Sequence, residues 1–192
     1  MFGLYLELGF EHILDFKGYD HIIFLISICA VYLFNDWKKV LILVTAFTIG
    51  HSLTLALATL NIFSISTDII EFLIPLTIFI SALFVIFIKN KNGSKRQHQI
   101  KYLAAMFFGL IHGLGFSNYL KAILGKENDL IIPLFAFNIG LEIGQIITVA
   151  LYLLLATIIV VYFRVVKREF ELIIAGAVGG ISLLMIIERY PF

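Results

Sequence analysis

The sequence predicts an all-α, polytopic integral membrane protein, a helical bundle of about six transmembrane spans. Three observations predict it. The chain has 192 residues, 61% of them hydrophobic and only 14% charged, where an ordinary soluble domain is roughly a quarter charged. Its mean hydropathy is +1.03. The apolar residues fall in blocks of about 20, the length that crosses a hydrocarbon core about 30 Å thick. A chain of this length holds one domain built from such blocks. The formal net charge of +1 offers no basic bulk for nucleic acid. The one cysteine, Cys29, excludes an intrachain disulfide framework and a cysteine-rich metal site, and reads as a small buried hydrophobe.

The helices fall roughly at 13–34, 40–63, 69–88, 102–124, 130–163 and 170–187. Lipid cannot satisfy backbone polar groups, so these runs must be helices, and the alternation of a barrel is absent. The first run needs help from upstream. Its clean apolar stretch after His21 is about 13 residues, roughly 20 Å, which is too short to span. It is therefore predicted to start near Ile13, with Asp20 and His21 about 10 Å below the surface and Lys17 snorkelling outward. Met1 to Glu11 contains no Lys or Arg, so it lacks the basic start of a signal peptide and reads as an amphipathic segment at the interface. The fifth run exceeds one span and is predicted to tilt, kink or extend beyond the bilayer.

Loop charge predicts orientation. Lys38 and Lys39, then Lys89, Lys91, Lys95, Arg96 and Lys101, then Arg164, Lys167 and Arg168 fall on one side of six spans. Glu7, Glu11, Asp15, Asp68, Glu71, Glu127 and Asp129 fall on the other. Positive charge inside places both termini outside the cytoplasm, in what reads as a bacterial cytoplasmic membrane. A faint internal echo, Phe47-x-x-x-His51 and Phe108-x-x-x-His112, lies on helices that do not correspond under an inverted repeat.

Ionisable residues inside a membrane are costly and are functional candidates by default. Here they are Asp20 and His21 in the first helix, His51 in the second, His112 in the fourth and Glu142 in the fifth. Counting residues inward puts His51, His112 and Glu142 at similar depth. Helical spacing sets Thr48 and Ser52 on the His51 face, and Asn138, Glu142 and Gln145 on one face of the fifth helix. Gly109 and Gly113, and Gly140 and Gly144, have the spacing that lets helices approach closely. Imidazoles and carboxylates converging in a dry core suit a borderline divalent cation, and imidazole suits zinc, nickel, copper and iron alike. The metal ligands are predicted as His21, Asp20, His51, His112 and Glu142. His12, Glu71, Thr48, Asn138 and Gln145 are assigned to entry or to orienting the ligands. Thr45 and Thr54 read as bonding their own backbone, and His98, in a basic loop, has no specific role.

These stretches resemble a known family. Gly18-Tyr19-Asp20-His21-Ile22-Ile23-Phe24, Gly50-His51-Ser52-Leu53-Thr54, Phe108-Gly109-Leu110-Ile111-His112-Gly113 and Asn138-Ile139-Gly140-Leu141-Glu142 are similar, in this order, to HupE/UreJ membrane proteins. The resemblance implies nickel or cobalt permeation linked to hydrogenase or urease assembly. It maps the family's essential His and Asp onto His12, Asp20 and His21, with His112 and Glu142 as later motif positions. Seven residues separate His12 from Asp20 here, a longer gap than in the nickel permeases.

Two mechanisms fit these residues. In the first, the protein transports a divalent cation, which an acidic outer face concentrates. In the second, it is an intramembrane zinc hydrolase or acyl transferase, with Glu142 as general base on metal-bound water and Ser52 steadying an oxyanion. A metal sensor or assembly factor is a third reading. The predicted partners are the lipid bilayer and the metal ion; self-association is left open.

Overall fold

The computed structural model describes residues 2–15, 18–62, 65–88, 95–124 and 130–191, and among these the fold is entirely helical. In chain order the helices are α1 (Phe2–Leu14), α2 (Asp20–Cys29), α3 (Trp37–Thr59), α4 (Thr67–Phe87), α5 (Lys95–Gly115), α6 (Ser117–Leu124), α7 (Ile131–Thr157) and α8 (Lys167–Glu188). A short 3-10 turn, Phe34–Asp36, leads into α3, and a π-helical stretch, Ile158–Tyr162, extends α7. The predicted roles of Lys17, Lys89, Lys91, Glu127 and Asp129 lie outside the described residues.

Phe34–Thr59, Thr67–Phe87, Ile131–Tyr162 and Lys167–Glu188 are each long and apolar enough to cross a bilayer. The pair α5–α6, bent by 48°, makes a fifth candidate. Large apolar side chains such as Phe87, Leu103, Phe135 and Leu184 stand exposed on these helices, as a lipid-facing surface requires. The bend follows from Gly113 and Gly115 together with Ser117, whose Oγ bonds the Leu114 carbonyl at 2.8 Å.

The predicted first span corrects to two short helices. α1 has 13 residues and α2 has 10. They reach about 20 Å and about 15 Å, each less than a hydrocarbon core. The break falls where Asp15, Gly18 and Asp20 interrupt the apolar run. Asp20 then sits in the first turn of α2, where the helix dipole favours a negative charge. Nor does α1 lie as an isolated interfacial segment, since it buries Tyr5, Gly9 and Ile13 against the bundle.

The closest pairings are α3 with α5, α1 with α7 and α4 with α8. In the first, a Cβ on Gly50 would strike the Met106 carbonyl, one on Gly109 the Phe47 carbonyl, and one on Gly113 the His51 carbonyl. The register rises together along both helices, so they run parallel. The second pair repeats the scheme: Gly9 faces the Phe137 carbonyl, Gly140 the Leu6 carbonyl, and Gly144 packs on Phe10 and Ile13. Gly109-Leu110-x-x-Gly113 and Gly140-Leu141-x-x-Gly144 thus occupy matching registers. The pairs run in opposite senses, because the Phe34 amide just before α3 donates to Thr157 Oγ1 at the end of α7. This inverted correspondence was hidden in sequence, since two glycines and a leucine are a weak signal.

The antiparallel pair α4–α8 is fixed at both ends. Arg168 donates to the Val85 and Ile86 carbonyls at 2.8 and 2.6 Å, satisfying groups that the end of α4 leaves unpaired. At the other end the Phe72 and Tyr190 rings meet at 5.9 Å. One end of the bundle therefore carries Lys38, Lys39, Lys101, Arg164, Lys167 and Arg168. The opposite end carries Asp68, Glu71 and Glu188, with Lys121 and Arg189 among them.

Candidate metal centre

A cleft of about 870 Å³ is lined by Glu71 and Arg189 from the acidic end and by His12, His21 and His112. Four helices supply the imidazoles. His12 stands in the last turn of α1, His21 in the first turn of α2, His51 inside α3, and His112 in the last turn of α5. The ends of α1 and α5 both present the negative pole of a helix dipole here, which favours a cation. The close approach of α3 and α5 is what lets short side chains from separate helices meet.

One nitrogen from each of His12, His21 and His51 lies within 4.8 Å of the others. The His12 and His21 ring centroids are 4.5 Å apart, and the His51 ring lies 5.8 and 5.9 Å from them. His112 joins this group through His21, at 5.3 Å. His21, His51 and His112 are buried, His51 and His112 completely.

Hydrogen bonds decide which nitrogens are available. Asp20 Oδ1 accepts from His21 Nδ1 at 3.1 Å and from the His21 amide at 2.9 Å. A carboxylate has no proton to give, so His21 carries its proton on Nδ1 and offers the lone pair of Nε2. Thr77 Oγ1 donates to the Ile74 carbonyl at 2.7 Å, which spends its only proton. Its 3.0 Å contact with His112 Nε2 therefore has the ring as donor, and Nδ1 is left as the lone pair. Among the described residues neither His21 Nε2 nor His112 Nδ1 has a partner, nor has His12 Nε2 or either nitrogen of His51. Orphaned buried polar atoms each cost about 1–3 kcal/mol, so their gathering in one place needs a reason. Lone pairs from clustered imidazoles are the donor set of a borderline divalent cation, and these residues fit one.

Asp20 is placed as an orienting group. Its second oxygen meets Arg189, beyond the end of α8, at 3.4 Å. His12, assigned in sequence to entry, stands inside the cluster. Glu71 is exposed and lines the cleft with Glu11 and Asp15, in keeping with an entry position.

The structure does not bring Glu142 to the imidazoles. Thr45 donates to its carboxylate at 3.0 Å, Thr48 to Gln145 Oε1 at 2.8 Å, and Ser52 to Asn138 Oδ1 at 2.6 Å. These bonds form a polar ladder between α3 and α7. Thr48, Asn138, Glu142 and Gln145 thus tie helices together on a face of α3 separate from the cleft. Thr45 gives its hydroxyl to Glu142, whereas Thr54 bonds its own helix as predicted, at the Gly50 and His51 carbonyls.

Sequence reasoning missed Thr77 and Arg189. Thr77 follows Pro75 by two residues inside an apolar helix, and Arg189 is a basic residue that closes α8 beside Glu188; both were visible as exceptions.

The fold and this cleft define a helical membrane protein whose interior cleft ends in a group of imidazoles. The model of the HupE / UreJ protein family matches residues 1–189, and the chain belongs to that family. No curated protein and no solved structure is matched by the chain.

Proposed function

We propose that the protein carries a divalent transition-metal cation across the bacterial cytoplasmic membrane, with nickel the preferred cargo and cobalt or zinc the nearest competitors. The observation that carries this reading is the gathering of imidazole nitrogens from His12, His21, His51 and His112, unpaired among the described residues, beside a cleft that three of these rings line. Imidazole suits nickel, zinc and copper, and membership of the HupE/UreJ family favours nickel or cobalt. Glu11, Asp15 and Glu71 line the cleft and raise the local cation concentration. Asp20 holds His21 in its ligating tautomer and Thr77 holds His112, as outer partners of metal-binding histidines do. Positive charge inside puts the basic end in the cytoplasm, so the cleft faces outward and the ion enters from there.

The hydrolase reading needs Glu142 and Ser52 beside the metal. Both are engaged in the α3–α7 ladder, and no observation favours it.

The test is nickel binding by calorimetry on detergent-purified protein, paired with uptake into proteoliposomes containing a metal indicator. The His51 ring makes no hydrogen bond among the described residues, so His51→Ala loses packing but orphans no polar partner, and circular dichroism checks that the variant folds. It should lose at least about tenfold in nickel affinity, the low end for a disturbed ligand set, and lose uptake with it. Wild-type protein that binds no divalent metal, or a variant with undiminished uptake, defeats the proposal.

A further inference from the structure

A second cavity, of about 230 Å³, opens toward the basic end between α2, α3, α4 and α5. It shares no lining residue with the outer cleft. Between the two lie the rings of Phe24, Phe47 and Phe108. Phe24 and Phe47 are completely buried, with centroids 4.8 Å apart, and Phe108 stands 6.0 Å from Phe24. On the cleft side this stack presses on the imidazoles. Phe24 lies 4.8 Å from His112, and Phe47 lies 5.3 Å from His112 and 6.0 Å from His51. On the far side Phe108 lines the second cavity.

We propose that Phe24, Phe47 and Phe108 form the closed gate between the histidine cluster and this second cavity, which is the vestibule through which a divalent cation leaves toward the basic end. The inference rests on the transport reading. A divalent ion cannot shed its ligands into a stack of phenyl rings, because an apolar constriction excludes both water and charge. Exit therefore requires the rings to part. The vestibule offers what the stack lacks. Ser27, one turn beyond Phe24 on α2, bonds Ser81 of α4 at 2.7 Å. Ser81 donates to the Ile78 carbonyl, so Ser27 is the donor between them, and both hydroxyl oxygens retain lone pairs for a passing cation. Lys101 lines the same cavity with its ammonium 5.2 Å from the Tyr32 ring centroid. Its positive charge disfavours prolonged residence of a cation there, which suits release and not storage. The structure thus stands open at the acidic end and closed beneath the cluster.

The experiment compares wild type, Phe24→Ala, Phe108→Ala and Phe108→Trp in proteoliposomes carrying a nickel or calcium indicator, with nickel binding measured on the same preparations. The alanine variants should leak: flux should stop saturating with nickel, and calcium, which has little use for imidazole, should also enter. Phe108→Trp should plug the passage. It should keep nickel binding but lower flux by about tenfold, the effect of a barrier raised by an overpacked side chain. If wild type moves nickel and the variants match its rate, saturation and selectivity, the gate is overturned and the transport reading stands. If Phe108→Trp loses binding together with flux, the stack supports the site and is no gate. Wild type that binds nickel but moves none sinks the transport reading itself.

Discussion

Asp20 grips His21 through Nδ1, while Thr77 grips His112 through Nε2, so the two neighbouring rings keep opposite nitrogens for a ligand. Thr77→Val keeps the shape of the side chain and removes the acceptor. His112 is then free to turn or to change tautomer, and nickel affinity should fall by about tenfold to a hundredfold, measured by calorimetry, with helical content unchanged. Unaltered affinity would show that His112 contributes nothing to the ligand set. At this scale much of the site was legible. Asp20, His21, His51 and His112 announce themselves because a charged or titratable group in an apolar run is expensive. Glu142 announced itself for the same reason, but its destination did not. Whether it meets a histidine or Thr45 depends on how α7 is rotated against α3, and helical spacing on one helix cannot fix that. The position of His12 beside His21 and His51 was out of reach for a related reason: it follows from where α1 ends.

Element lengths and the apolar runs behind α3, α4, α7 and α8 were readable to within a few residues, because hydrophobicity alone sets them. The division of the first run was not, although Asp15, Gly18 and Asp20 marked it. A continuous helix was predicted there to satisfy span length, and the chain instead satisfies Asp20 with a helix N-terminus. The glycines were read correctly as points of close approach, and the structure supplies the partners. Gly50→Ala must push its Cβ into the Met106 backbone, whereas Gly176→Ala on α8 meets nothing within 4 Å. Thermal unfolding in micelles should show Gly50→Ala less stable by about 1–3 kcal/mol, as overpacking costs, and Gly176→Ala neutral or better. Equal behaviour of the two variants would contradict the packing of α3 on α5.

For the whole molecule, the segregation of charge predicts topology. A phosphatase that is active only outside the cytoplasm should work when fused after Phe192 and fail when fused after Ile88. The reverse pattern would invert the direction assigned to the cleft. The inverted helix pairs carry a further consequence. His12 belongs to the α1–α7 pair, His51 and His112 to the α3–α5 pair, and His21 to α2, which is fastened to α4 and α8 through Ser81 and Arg189. An ion held by all of them would be a clasp across three groups of helices, two of which the α3–α7 ladder also joins. If these groups shift to deliver it, the ion resists that displacement, so tighter grip means slower turnover. Substitutions that loosen the clasp without dismantling it should yield a faster carrier with a weaker hold.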